Sequence, residues 1–274
     1  MNYAVKSFLF WVLSFFMMAA AAVYQHSTGP TYPVSGTVVI GSEKVNYRLI
    51  RTWEGDTDAQ VKVKVENPEI IGKYRFRRFK SYDEWSEQIP MQRNGNELVA
   101  HLPNLPPAGK MMYEIYLGTE GNLVKLTTDP PVLRYKGIVP GWVLIPHIII
   151  IFTAMMFSTR TGFEALTKGK NLKKYATWTV ILFGIGGMIF GPLIQKFAFG
   201  ELWTGWPLGS DLTDNKSLAT FIIWVIAWLQ VRKDERRRGW VIVASLALIA
   251  TFVIPHSMMG SEIDFTDPAT HQVR

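Results

Sequence analysis

The order of apolar and polar positions divides the chain into two regimes, uninterrupted apolar runs near both ends and a long stretch between them in which apolar residues alternate with polar ones. Residues 8–23, FLFWVLSFFMMAAAAV, hold no charge over sixteen positions, close to the lower limit for a helix that crosses a bilayer. Two readings of this run stay open. Its length and the single lysine before it, Lys6, fit an uncleaved anchor, and the small residues Ala20, Ala21 and Ala22 at its end fit a signal-peptide cleavage site. Four more apolar runs follow at residues 141–158, 176–195, 217–231 and 239–254. The shorter two fall below the ~20 residues of an ordinary span, so they must recruit flanking residues or lean on neighbours. The pattern predicts five transmembrane α-helices.

Between the first and second runs the period changes to two. Val61, Val63 and Val65 interleave with Lys62 and Lys64, and Leu98, Ala100 and Leu102 repeat the alternation, which is the mark of a half-buried strand. Further strand-like runs lie at residues 34–40, 45–51, 74–79, 110–117 and 123–127, separated by turn clusters such as Glu54-Gly55-Asp56 and Thr119-Glu120-Gly121. Asn94-Gly95 is the strongest hairpin signal and predicts that 89–93 pairs with 97–102. About seven strands at this spacing predict an Ig-like β-sandwich inserted after the first helix. The expected division is an anchor at 1–25, a β-sandwich at 26–137, a four-helix transmembrane bundle at 138–256 with a polar loop at 196–216, and a tail at 257–274.

Charge sets the expected orientation. The net +7 of the chain is concentrated in two short loops: Arg160, Lys168, Lys170, Lys173 and Lys174 in one, Arg232, Lys233, Arg236, Arg237 and Arg238 in the other. Basic loops between apolar spans stay in the cytoplasm. The amino terminus then lies inside, and the β-domain, the 196–216 loop and the carboxy terminus lie outside a multi-pass protein of the cytoplasmic (inner) membrane. Because positive-inside bias accounts for the basic excess, no nucleic-acid partner is expected; the lipid bilayer and other membrane proteins are. The absence of cysteine removes disulfides, thiolate metal sites and Cys nucleophiles.

The outer domain also carries a resemblance. The membrane anchor followed by YRFRRFKSYDEW, the segment NGNELVAHLPNLPPAGKMMYEIYL and the paired prolines before Gly109-Lys110 resemble the extracytoplasmic domains of the FixH and YtkA-like group over residues 1 to 135. That group holds an Ig-like domain outside the cytoplasmic membrane on one span, and FixH is associated with assembly of a copper-containing terminal oxidase. The resemblance therefore implies an accessory or assembly component of a respiratory, metal-handling membrane complex. The four further spans depart from that layout.

Candidate chemistry gathers on the face expected to be outside. His147 in LIPHIII and His256 in VIPHSMM sit at membrane ends on that side. They suit a haem or metal pair, or else interfacial imidazoles beside prolines bonded to headgroups or backbone. Met258 and Met259 with His256 would suit copper(I), and His256 with the carboxylates of Glu262 and Asp264 a harder divalent ion. Against the metal set His147, Asp211, Asp214, His256 and Glu262 stand simpler roles: Asp214 or Asp211 at the start of the helix near Lys216, and acids of the tail facing water. Trp203 and Trp206 fit an aromatic belt, while Gly200, Gly205, Pro207 and Gly209 imply a loop of fixed shape that caps the bundle. No Walker loop, dinucleotide fingerprint, zinc-protease helix or nucleophile elbow occurs, so no enzyme is expected. The alternatives to an accessory component are a haem- or metal-binding subunit using His147 and His256, and a transporter of small solutes or ions.

Overall fold

The computed structural model describes residues 2–255 and 260–266. The chain forms two compact units, one made of Met1–Pro30 with Val139–Ser261 and the other of Thr31–Ile138 with Glu262–Arg274. The first is helical and the second is built from sheets.

In the sheet unit, β1 (Val34–Ile40) and β2 (Glu43–Leu49) form a hairpin. Gly41 turns it at φ +60°, where a side chain would be strained. β3 (Thr52–Glu54), β5 (Ile71–Phe79), β6 (Ile89–Pro90), β9 (Lys110–Thr119), β10 (Asn122–Lys125) and β11 (Val132–Lys136) make a six-stranded sheet ordered β3-β11-β9-β5-β6, with β10 pairing to β9. β4 (Ala59–Lys64), β7 (Gln92–Asn94) and β8 (Glu97–Leu102) make a third sheet ordered β4-β8-β7. All pairings are antiparallel except β3 with β11. Alternation decides which side of each strand is buried: Val61 and Val63 face inward opposite Ala100 and Leu98, while Lys62 and Lys64 stay exposed. The expected hairpin at Asn94-Gly95 is present with Asn94 opposite Glu97, but of its expected first arm it takes only Gln92 and Arg93. Ile89–Pro90 joins β5 in the other sheet instead.

One apolar core, including Leu49, Val61, Leu102, Tyr113, Ile115, Leu133 and Tyr135, fills this unit. Its phenols are satisfied by carbonyls: Tyr113 donates to Ile50 O at 2.7 Å, Tyr135 to Pro103 O at 2.8 Å and Tyr74 to His101 O at 3.0 Å. Glu114, the one deeply buried acid among its described residues, accepts from Arg75 at 2.5 Å, Lys125 at 2.7 Å and Tyr116 at 2.6 Å. Burial pushes Glu114 up, but the bonds from Lys125, Tyr116 and Arg75 outweigh it and hold the carboxyl down at about 2.

The helical unit contains α1 (Tyr3–Thr28), α2 (Gly141–Leu166), α3 (Leu172–Phe183), α4 (Gly191–Phe199), α5 (Leu212–Lys233) and α6 (Gly239–Val253). A π-helical segment, Gly184–Phe190, joins α3 to α4, so that Leu172–Phe199 is one rod of 28 residues. α1, α2 and that rod are long and apolar enough to cross a membrane. α6, with 15 residues, is about 22 Å long at 1.5 Å per residue. Helices approach closely because the contact positions are small: Ala154, Ala176, Ala227 and Ala244 are fully buried. Hydroxyl groups tie the same seams, with Ser245 donating to Ser158 O at 2.9 Å and Thr220 meeting Thr251 at 2.6 Å. The glycine spacing at 187 and 191 does not make the close contact that its GxxxG form suggests. Gly186 does, since a Cβ there would lie 3.1 Å from Ile150 of α2, whereas one on Gly191 would have no side chain within 4 Å.

Candidate functional site

At one end of the helical unit the polar 196–216 stretch folds into a fixed loop. α4 stops at Gly200, which takes φ +92° and donates to Lys196 O. Leu208 and Gly209 both donate to Gly205 O, and Asp211 N donates to Thr204 O at 2.9 Å, closing the loop on itself. Asp211 then caps α5, one carboxylate oxygen accepting from Thr213 N at 2.7 Å and from Asp214 N. Its other oxygen accepts from Ser261 N at 2.8 Å and Ser261 Oγ at 3.1 Å. Asp214 is buried and accepts from Thr204 N at 2.7 Å. Gly205 is required here: a Cβ on it would come 2.6 Å from that of Asp214. Capping thus uses one oxygen of Asp211, whose other oxygen holds the chain at Ser261, while Asp214 holds the loop at Thr204.

A cavity of about 320 Å³ opens beside this loop, lined by apolar groups that include Ile151, Phe152, Ile194, Phe199 and Phe252 and by the polar side chains of His147, Gln195, Thr213, Asp211, Asp214 and Ser217. Gln195 donates to Thr204 Oγ1 at 2.6 Å and to Ser261 Oγ at 3.3 Å, so that Gln195, Thr204, Asp211 and Ser261 form one network, of which Gln195 and Asp211 line the cavity. His147, on the second turn of α2 just after Pro146, approaches Gly186 O of the π segment with Nδ1 at 3.0 Å. A carbonyl only accepts, so Nδ1 carries a proton, and in the neutral form of the ring Nε2 is the acceptor. With the Gln195 amide already engaged, the wall offers the carboxylates of Asp211 and Asp214 and the imidazole of His147, together with hydroxyls and the Gln25 amide, which donate as well as accept.

Of the residues expected to form a site, the cavity brings together His147, Trp203, Asp211 and Asp214. His256, Met258 and Met259 lie outside the described residues. Among the described residues no group of three His, Asp or Glu is placed to hold a metal; Asp211 and Asp214 are engaged by the loop, and Glu262 is engaged by lysines. Glu262 belongs to the sheet unit, where it pairs with Lys80 at 2.7 Å and with Lys110. Burial raises its carboxyl, but the bonds from Lys110 and Lys80 prevail and hold it below the usual carboxylate range. The chain there is not a solvated tail: Ile263 N donates to Ala108 O and Phe265 N to Lys80 O, and Arg78 lies over the Phe265 ring.

Lys216 is buried in the first turns of α5 and donates to Ile254 O at 2.5 Å, capping the carboxy-terminal end of α6. Trp203 donates to Trp206 O at 3.1 Å, while Trp206 itself is 70% exposed. The sequence reading missed Gln195 and Phe252, and their signal was weak, an uncharged polar residue and a phenylalanine inside apolar runs. Comparison of the chain with protein-family models, with curated proteins and with solved structures gives no match.

Proposed function

We propose that this protein is an integral membrane accessory component that holds an amphipathic molecule in the cavity of its helical unit. The observation that carries this reading is the cavity itself: apolar walls joined to one hydrogen-bonded network rich in acceptors. Such a wall selects an apolar tail with a head that donates hydrogen bonds, a hydroxyl or an amine, and disfavours an anionic head beside Asp211 and Asp214. The sheet unit is the extracytoplasmic, FixH-like domain of this proposal, the protein crosses the inner membrane five times with its amino terminus inside, and its partners are other proteins of a membrane complex. The three apolar helices and the two basic loops support the membrane placement and the orientation.

The test is to purify the full chain in mild detergent and identify by mass spectrometry the small molecules that leave with an organic extract. The expected result is a near-stoichiometric amphipathic compound with a hydroxyl or amine head. Gly191→Leu should abolish it, because Gly191 lines the cavity and a Cβ there would meet only Gly186 O, at 3.9 Å. An identical extract from both proteins, or one holding only anionic lipids, overturns the reading.

A further inference from the structure

The opposite end of the same helical unit holds a second, smaller pocket of different chemistry. It has a volume of about 130 Å³ and is lined by Tyr3, Lys6, Ser7 and Phe10 of α1, by Arg160 and Glu164 of α2, and by the turn that follows, Thr167 to Lys170. Arg160 lies thirteen residues after His147 on α2, so about 20 Å of helix separates the two sites. We propose that this pocket binds a phosphate group, either the headgroup of an anionic phospholipid or a small soluble phosphate compound.

The charges decide the sign of the ligand. Glu164, 2% exposed, is already taken up: Arg160 donates to it at 2.6 Å, Asn171 N at 2.9 Å and Tyr3 at 3.5 Å. Arg160 cancels its charge, which leaves Lys6, Lys168 and Lys170 at the pocket with no described ion pair among them. Four cations therefore face one spent carboxylate. Arg160 is 1% exposed and enclosed by the rings of Phe10, Trp11 and Tyr175, with one terminal nitrogen on Glu164 and the other on Ser7 at 3.1 Å. Its Nε has no hydrogen-bond partner among the described residues. A buried guanidinium N–H left unpaired is costly, and Arg160 lines the pocket in which an anion would sit beside the three lysines.

The size of the pocket favours a phosphate with a small substituent over a drug-sized ligand, which needs roughly 300–1,000 Å³. The turn is built to hold the lysines around the acid: a Cβ on Gly169 would fall 2.1 Å from Glu164 Cδ, so only glycine lets Lys168 and Lys170 flank the carboxylate at this distance. Basic pockets between transmembrane helices are a recognised form of anionic-headgroup site.

The full chain is reconstituted in nanodiscs of phosphatidylcholine alone and of phosphatidylcholine doped with phosphatidylglycerol, and in the former with added inorganic phosphate. Thermal unfolding and native mass spectrometry are the readouts. Two variants accompany it: K6A/K168N/K170A, with Asn at position 168 because Lys168 sits at φ +55°, and R236A/R237A, which removes the same kind of charge from the other basic loop. Phosphatidylglycerol should stabilise the native protein and be retained on it. K6A/K168N/K170A should unfold normally in phosphatidylcholine but lose affinity about five-fold per lysine, and R236A/R237A should keep the full effect. Stabilisation by inorganic phosphate that the lysine variant loses, with none from phosphatidylglycerol, assigns the site to a soluble phosphate compound. The proposal is overturned if neither probe stabilises the native chain, if the lysine variant retains the effect, or if R236A/R237A loses as much.

Discussion

The two ends of the helical unit bury carboxylates by opposite means. At the Arg160 end, Glu164 meets a full positive charge at 2.6 Å, and the cations that remain make the pocket positive. At the loop end, Asp211 and Asp214 accept from backbone amides and hydroxyls, with no arginine or lysine among the donors described for them. Neutral donors satisfy the geometry of a carboxylate but leave its charge in place. One end is therefore equipped to take an anion and the other a donor-bearing head, although both contain acids in a mostly apolar bundle. A residue's charge is a poor guide to the sign of the site around it; the charge of its hydrogen-bond partners is a better one. Glu114 of the sheet unit follows the Arg160 pattern, with two cations and a phenol about one acid.

The largest effect should come from breaking the paired end. Arg160→Leu leaves Glu164 buried without its cation and should cost on the order of 3–5 kcal/mol in unfolding measured in nanodiscs, while Arg160→Leu combined with Glu164→Leu should recover most of that loss. Equal losses in the single and double variants would mean that packing on the three rings, and not charge, is what Arg160 supplies. Glu114 gives the next effect. Its carboxyl is held at about 2 against an ordinary 4.5, so the folded state prefers it ionised; the stabilisation is present above pH 4.5 and is lost as pH falls towards 2. That stabilisation is on the order of 3 kcal/mol, and Glu114→Gln should flatten the pH dependence of unfolding within this window, followed by circular dichroism. The smallest effect tests the neutral end. Gly205→Ala forces a methyl against Asp214 and should cost about 1–3 kcal/mol, with loosening confined to the loop in hydrogen exchange. A change in exchange that spreads to α2 would show the loop and bundle to be one cooperative body, and the contrast between the ends would weaken.

Legibility followed burial on one side. Strands with one wet face, such as Ala59–Lys64, announce themselves by alternation, whereas Val132–Lys136 does not, because Leu133, Arg134 and Tyr135 are buried in succession. The apolar run of α2 reads as ending at residue 158 because Arg160 looks like the start of a basic loop. The helix in fact continues to Leu166, and the sign of this was Glu164 four residues on, where it meets Arg160 on one helix face. For the candidate site, Trp203, Asp211, Asp214 and His147 stood out as polar or aromatic groups at the ends of apolar runs. Glu262 stood out for the same reason and was misplaced, since its partners Lys80 and Lys110 are far away in the chain and no local pattern points to them.

The π segment at Gly184–Phe190 has a consequence for phase. An α-helix advances its side chains by 100° per residue, and a π turn admits about one residue more than an α turn. Everything after Phe190 is therefore rotated by roughly 100° from where an unbroken helix would carry it. Gln195 and Phe199 reach the cavity in that rotated frame, so their facing is dictated by a seven-residue segment upstream and not by their own periodicity. Removing one residue between 184 and 190 would restore α geometry and turn both away from the cavity, with the composition of its wall otherwise intact.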